Sequence, residues 1–148
     1  MGDVKVDWSI CDIFRSAVHS WGTVARPDCV VGILKGGALP AVTAANFLKC
    51  SSFWCLCKAY RGRRKSSVKY KSLSLNSDAL RGKTVWVIDD ILDSGDTMRK
   101  VLKEVRSLGA KDAVGIVLMS KNPKLCHDLG VLYVREASPS DWIVFPWE

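Results

Sequence analysis

Three aspartates in the stretch KTVWVIDDILDSGDTM, residues 83–98, could do chemistry because of their type and spacing. Asp89 and Asp90 directly follow an apolar run, and Asp93 comes three residues later, before a turn of small residues. Carboxylates accept hydrogen bonds from sugar hydroxyls, bind divalent cations and stabilise developing positive charge. Two adjacent acids at the end of a buried strand are costly without such partners. The spacing therefore indicates a binding site and disfavours an ordinary strand–turn–helix connection.

The elements around these aspartates predict a phosphate site beside them. Residues 85–88 are apolar and rich in β-branched and aromatic types, which is typical of a buried strand. A helix is expected from Met98 onward, because apolar residues recur there at helical spacing. The turn between the two elements, residues 94–97, would form the helix start. The backbone N–H groups and partial positive charge of a helix start suit a phosphate.

A second strand-to-helix turn repeats this arrangement earlier in the chain. Residues 28–34 predict a buried strand, and a helix is expected over residues 38–48. Lys35, Gly36 and Gly37 lie between them. Glycines let the backbone approach an anion closely, and the lysine adds a positive charge. Taken alone, this turn is equally compatible with a plain connection between a strand and a helix.

Three motifs together resemble the type I phosphoribosyltransferases, which bind 5-phosphoribosyl-1-pyrophosphate (PRPP). VIDDILDSGDT, residues 87–97, is similar to the signature of that family. Leu-Lys-Gly-Gly, residues 34–37, resembles the pyrophosphate loop of the hypoxanthine-guanine enzymes, and this likeness implies a cis peptide bond between Leu34 and Lys35. Lys121 followed by WIVFPWE, residues 142–148, is similar to the bacterial xanthine-guanine enzymes.

The resemblance implies a role for each matching residue. Asp89 and Asp90 would hold the ribose hydroxyls and help to place Mg²⁺, and Asp93 would be the general base that takes the purine proton. Lys121 would donate to the purine 6-oxygen, Trp142 would stack on the ring, and the backbone of Ile143 would read the 2-position. The other implied contacts are Lys35, Gly36 and Gly37 with pyrophosphate, and Ser94, Gly95, Asp96 and Thr97 with the 5′-phosphate. Because an anion would repel phosphate, the Asp96 side chain is expected to face solvent.

The order of elements and the resemblance predict an α/β fold. We expect an open, mostly parallel five-stranded sheet with helices on both faces, a flexible hairpin loop and a small C-terminal hood. A single domain would span residues 1–148, with the flexible basic loop at about 60–72 and a base-binding hood at about 120–148. An amphipathic helix is expected over residues 7–21, with Trp8 on its apolar face and Asp7 as its cap.

Composition limits the possible classes of protein. The chain has 148 residues, of which 48% are hydrophobic, as in a globular domain. No apolar run is long enough to span a membrane, and the N-terminal residues lack a signal-peptide core, so no membrane partner and a cytoplasmic location are expected. The six cysteines form no C-x-x-C pair, which favours buried thiols.

The excess positive charge is confined to one segment. The chain has 22 Lys and Arg against 15 Asp and Glu, giving a net charge of +7. Residues 58–71 hold seven cations and no acid, so the remaining cations and acids are equal in number. A uniformly basic nucleic-acid-binding protein would not show this distribution, although one basic loop could still contact RNA.

These observations favour a purine salvage enzyme. The expected reaction joins a 6-oxopurine to PRPP with Mg²⁺ and yields a nucleoside 5′-monophosphate and pyrophosphate. Guanine and hypoxanthine are the favoured bases and xanthine stays open, while the family suggests a homodimer or homotetramer. Nucleic acid is not an expected partner. Two alternatives stay open: a PRPP-sensing regulator that binds nucleic acid, which the basic loop supports, and a phosphoribosyltransferase for another base. Lys121 and residues 142–148 argue against both.

Overall fold

The structure, a computed structural model, describes residues 2–61 and 66–148. In these residues it contains eight strands and five helices. In chain order they are β1 (Asp3–Lys5), α1 (Ser9–Val24), β2 (Cys29–Leu34), α2 (Ala38–Leu48), β3 (Ser51–Arg61), β4 (Ser66–Ser72), α3 (Ser77–Leu80), β5 (Thr84–Leu92), α4 (Asp96–Ser107), β6 (Asp112–Ser120), α5 (Pro123–Leu129), β7 (Val131–Glu136) and β8 (Trp142–Val144). None of the helices in these ranges is both long and apolar enough to cross a membrane.

A six-stranded sheet with the order β4-β3-β2-β5-β6-β7 forms the centre of the molecule. The five strands from β3 to β7 in this order pair in parallel, and β4 is antiparallel to β3. The predicted α/β fold with a mostly parallel sheet is therefore confirmed. Its sixth strand is the return arm of the predicted hairpin, with Ser72 opposite Cys55. The tip of the basic loop, residues 62–65, lies outside the described residues.

Helices cover both faces of the sheet, as predicted. Helices α1 and α2 pack on one face, and α3, α4 and α5 pack on the other. Successive residues of β5 therefore contribute to different cores, because side chains alternate across a strand. Trp86 and Ile88 pack on the α1–α2 side, and Val85 and Val87 pack on the opposite side. A strand covered on both faces has a continuous apolar run, which is why β5 could be identified from sequence.

Helix α1 differs from the prediction at both ends. It starts at Ser9 and continues to Val24, beyond the expected residues 7–21. The Asp7 carboxylate accepts a hydrogen bond from the Ser9 backbone N–H at 2.9 Å, so Asp7 caps the first turn from outside the helix. Trp8 precedes the helix and is 58% exposed, so its expected place on the buried face was wrong.

A small two-stranded sheet lies apart from the central one. Strand β1 pairs in parallel with β8, which places Asp3 opposite Trp142 and Val4 opposite Ile143. The side chain of Ile143 is buried in the α1–α2 core together with that of Val6. Strand β1 was not predicted, because a three-residue strand with exposed side chains has no apolar periodicity.

Candidate functional site

Three turns meet at one edge of the central sheet. Strands β2, β5 and β6 are parallel neighbours, so the residues that follow them lie side by side. Lys35 follows β2, Asp93 follows β5, and Lys121 follows β6. The backbone N–H of Lys121 donates to the carbonyl of Leu92 at 2.9 Å, which ties two of these turns together. Ligands of open α/β sheets bind at this carboxyl edge.

The adjacent acids Asp89 and Asp90 lie inside β5, two residues before its end. The backbone N–H of Asp90 donates to Asp89 Oδ1 at 2.9 Å. Burial raises the pKa of the Asp89 carboxyl well above its usual value, and the neighbouring charge of Asp90 raises it further. Burial also raises the pKa of Asp90, with a smaller contribution from the negative charge of Glu148. Two carboxyls in this environment favour a cation or hydroxyl donors as partners.

The turn after β2 packs closely against these acids. A Cβ atom on Gly36 would overlap the side chain of Asp90, and one on Gly37 would lie 2.6 Å from the carbonyl oxygen of Ile33. Both positions therefore require glycine for close packing. The peptide bond between Leu34 and Lys35 is cis, which confirms the expectation from sequence.

A cavity of about 380 Å³ opens beside the end of β5. Its lining consists of Ala59, Asp89, Ile91, Leu92, Asp93, Ser94, Gly95, Thr97 and Met98. This cavity brings the predicted base Asp93 together with three of the four predicted phosphate contacts. Asp96, the fourth, has its carboxylate 3.5 Å from Nη1 of Arg99 on the same helix.

Gly95 sets the shape of the phosphate turn. It adopts a φ of +83°, in the left-handed region that favours glycine, and it directly precedes helix α4. A Cβ atom at Gly95 would also lie 2.5 Å from Cδ2 of Leu125 on helix α5. The turn therefore packs against α5, and the α4 N-terminus faces the cavity.

Lys121 stands between this cavity and a second one. Its Nζ lies 3.9 Å from Asp93 Oδ2, and the lysine side chain is only 11% exposed. The second cavity, about 350 Å³ in volume, lies under the β1–β8 sheet and is here called the hood cavity. Its lining consists of Gly2, Asp3, Lys121, Pro139, Ser140, Asp141 and Trp142. Trp142 is 68% exposed, so its ring is available to a ligand.

The hood cavity contains two acids that were not predicted from the sequence, Asp3 and Asp141. Asp3 reaches the cavity because β1 pairs with β8, and no local pattern in the sequence indicates that pairing. Asp141 precedes Trp142, the predicted stacking residue. It was missed because a lone acid in a loop does not indicate a binding site. Ile143 does not line the cavity with its side chain, which is buried in the core. The carbonyl of Val144 accepts from Val6 at 2.8 Å, so the carbonyl of Ile143 faces the opposite edge of β8.

The described residues include no group of three or more His, Cys, Asp or Glu side chains placed to hold a metal ion unaided. Asp89 and Asp90 nevertheless provide two adjacent carboxyls. Mg²⁺ is commonly bound by one or two carboxylates together with substrate phosphates and water. The donor set therefore fits a Mg²⁺ ion that enters with a phosphorylated substrate.

A third cavity, of about 460 Å³, lies between the turn after β2 and the β3–β4 hairpin. Its lining consists of Leu34, Lys35, Leu56, Cys57, Lys58, Lys69, Tyr70 and Lys71. Four of these residues are lysines, so the approach to the Lys35 turn is positively charged. The positive electrostatic potential of these lysines attracts anionic ligands.

The sheet, the two glycine-containing turns and the acids of β5 together suit a ligand that carries both phosphate and sugar hydroxyl groups. Residues 17–148 match the family described as the phosphoribosyl transferase domain. The chain therefore belongs to the phosphoribosyltransferase family.

Proteins similar to this chain include phosphoribosyltransferases and transcriptional regulators. It is similar to the solved purine phosphoribosyltransferase from Pyrococcus horikoshii Ot3, with a TM-score of 0.83 and 30% identity, covering 100% of this chain and 95% of that one. It is 27% identical to the transcriptional regulator GfcR 2 of Methanosarcina barkeri, over 79% of this chain and 55% of the regulator. It is 23% identical to the hypoxanthine-guanine phosphoribosyltransferase of Staphylococcus aureus, over 80% of this chain and 68% of that protein. The chain spans 55% to 64% of the length of the transcriptional regulators that it matches.

Proposed function

We propose that this protein is a 6-oxopurine phosphoribosyltransferase. In the proposed reaction, N9 of the purine attacks C1 of the PRPP ribose, and the bond from C1 to the pyrophosphate oxygen breaks. The products are a nucleoside 5′-monophosphate and pyrophosphate. The observation that carries the proposal is the 3.9 Å separation of Asp93 Oδ2 and Lys121 Nζ, which come from different strand ends.

This pair matches two neighbouring atoms of a 6-oxopurine. The ammonium of Lys121 donates to the 6-oxygen, and the carboxylate of Asp93 takes the proton from N7 as N9 attacks. Adenine carries an amino group at position 6, which cannot accept from an ammonium, so the same site disfavours adenine. The exposed ring of Trp142 provides a platform for the planar base.

The ribose and pyrophosphate lie at the other end of the proposed site. Asp89 and Asp90 accept from the ribose hydroxyls and, when Mg²⁺ is bound, hold it against the substrate phosphates, where it offsets their negative charge. Their carboxyls also stabilise the positive charge that grows on the ribose as the C1–O bond breaks. Lys35 and the backbone of Gly36 and Gly37 bind the departing pyrophosphate.

The turn before α4 binds the 5′-phosphate in this proposal. Ser94 and Thr97 provide hydroxyl groups, and Gly95 and Asp96 provide backbone N–H groups near the positive end of the helix. The pairing of the Asp96 carboxylate with Arg99 supports this assignment, since it directs the negative charge away from the phosphate. A homodimer or homotetramer in the cytoplasm remains a prediction from family resemblance.

A direct assay tests the proposal. The protein is incubated with PRPP and Mg²⁺, and guanine, hypoxanthine, xanthine, adenine and uracil are offered separately while pyrophosphate release is measured. We expect turnover with guanine and hypoxanthine and none with adenine or uracil. Turnover with adenine or uracil alone would contradict the assignment of Lys121 and Asp93 to a 6-oxopurine.

A regulator of gene expression is the second candidate. The similarity to transcriptional regulators of Methanosarcina barkeri and Thermoplasma acidophilum favours it, as does the confinement of the basic excess to residues 58–71. In this case PRPP and a purine would bind at the same site as signals. Fluorescence anisotropy with duplex DNA and with RNA, at about 150 mM salt, distinguishes the two candidates. Binding at micromolar protein or below that changes when PRPP is added, together with no turnover of any base, would favour the regulator.

A further inference from the structure

The N-terminal strand β1 places an acid in the hood cavity. Asp3 is directly opposite Trp142 in the parallel β1–β8 pair, so the two side chains project from the same face of that small sheet. Both residues line the hood cavity together with Lys121. A purine stacked on Trp142 and hydrogen-bonded to Lys121 would therefore have the Asp3 carboxylate at its edge.

The two acids of this cavity differ in their surroundings. Asp141 Oδ2 accepts from the Ser138 backbone N–H at 3.0 Å, so this carboxylate already stabilises its own loop. Asp3 is exposed, and within residues 2–61 and 66–148 its carboxylate has no hydrogen-bond or ion-pair partner. Asp3 is thus the acid that is available to a ligand.

The position of Lys121 indicates which part of a purine would reach Asp3. N7 and the 6-oxygen are neighbours on one side of a 6-oxopurine, and they correspond to Asp93 and Lys121 in the proposed function. Positions 1 and 2 follow the 6-oxygen around the ring and point away from N7. Because Lys121 lines the hood cavity and pairs with Asp93 on its other side, positions 1 and 2 would enter the hood cavity.

We propose that the Asp3 carboxylate accepts a hydrogen bond from the 2-amino group of guanine and makes this base the preferred substrate. Hypoxanthine has only hydrogen at position 2, so the Asp3 carboxylate neither raises nor lowers its affinity. Xanthine carries an oxygen at position 2, which the carboxylate repels. The inference rests on the proposed function, because it uses the same purine site.

The substitution Asp3→Asn tests this role. Binding of GMP, IMP and XMP is measured by calorimetry, which does not depend on turnover, and kcat/KM is measured for the three bases. We expect GMP affinity to fall about five- to tenfold, because the asparagine amide oxygen can still accept from the 2-amino group but lacks the charge that strengthens the hydrogen bond. IMP affinity should stay within about twofold, and XMP should bind more tightly because an amide can donate to its 2-oxygen.

Two matched variants make the result specific. Asp12→Asn removes the same charge on the exposed surface of α1 and should leave all three affinities unchanged. Asp141→Asn changes the other acid of the cavity and should not alter the order of preference. Equal losses for GMP and IMP in the Asp3→Asn protein would overturn the proposal, because they would show a purely structural role for β1.

The failure of this inference is distinguishable from failure of the proposed function. A wild-type protein that binds GMP and IMP, with an Asp3→Asn variant that keeps the original preference, refutes only the role of Asp3. A switch of preference in Asp141→Asn alone would assign the reading of position 2 to that acid and also refute Asp3. A wild-type protein that binds none of the three nucleotides and turns over none of the bases refutes the purine site itself.

Discussion

Lys121→Met should strongly lower kcat/KM for guanine while leaving PRPP affinity unchanged. Methionine has nearly the length of lysine but no charge and no donor, so the 6-oxygen of the base would lose its partner. The lysine side chain is 11% exposed, so water can replace the lost donor only poorly. A hydrogen bond from a charged group contributes about 1.5–3 kcal/mol, which corresponds to about a 10- to 150-fold loss in kcat/KM for guanine.

The ion pair with Asp93 adds little to this figure. At the observed 3.9 Å, the attraction between two unit charges is about 1 kcal/mol in water and about 4 kcal/mol in a partly buried setting. Because the Asp93 side chain is 59% exposed, the lower value applies, and salt reduces it further. The loss of the hydrogen bond to the base therefore dominates the expected effect.

Steady-state kinetics with guanine and adenine, at saturating PRPP and Mg²⁺, would check this prediction. Lys124→Met on the exposed surface of α5 is the matched control and should behave as the wild type. The preference for guanine over adenine should narrow in Lys121→Met, because the donor that disfavours adenine has been removed. A loss of less than about threefold for guanine, or an equal rise in the KM for PRPP, would refute the assignment of Lys121 to the base.

Three further predictions concern the acids and the turn beside them. Asp93→Asn should reduce turnover by about 10²- to 10⁴-fold, as for a lost general base, with little change in PRPP affinity by calorimetry; equal loss of both would argue against that role. Gly36→Ala should raise the KM for PRPP and lower the free energy of unfolding by about 1–3 kcal/mol in urea titrations, because the new Cβ overlaps Asp90. An unchanged KM would contradict the placement of pyrophosphate at this turn. Burial raises the pKa of Asp89, so the folded state holds a proton on this carboxyl more tightly than the unfolded state does. The ligand-free protein should therefore lose stability as pH rises from about 4 through the raised pKa. Asp89→Asn should therefore increase Tm at neutral pH, with a gain that shrinks toward about pH 4; a lower Tm at neutral pH would show that the charged carboxylate is stabilising.

Much of the fold could be predicted from the sequence because its elements have strong local signals. Helix α2 has the predicted bounds, Ala38–Leu48, since a glycine pair precedes it and apolar residues fill it. Strand β5 was recognisable from its apolar run, although it continues past the two acids to Leu92. The acids do not end the strand, because Ile91 and Leu92 extend its pairing with β6.

The candidate site was less completely predictable, since part of it depends on contacts between distant segments. The motif residues on β5 and in the turns after β2 and β6 could be named from their own sequence. Asp3 could not, because it enters the hood cavity through a three-residue strand whose partner is at the other end of the chain. Trp8 was misplaced for a related reason: periodicity cannot show that the helix begins at Ser9, two residues later than expected.

The contact of Gly95 with Leu125 has a geometric consequence for any nucleotide that binds here. Helix α5 begins two residues after Lys121, and its side chain Leu125 supports the turn that carries Gly95. A helix of seven residues thus links the segment that follows Lys121 to the turn at Gly95. A ligand that contacts both Lys121 and the turn at Gly95 must therefore match the distance between them.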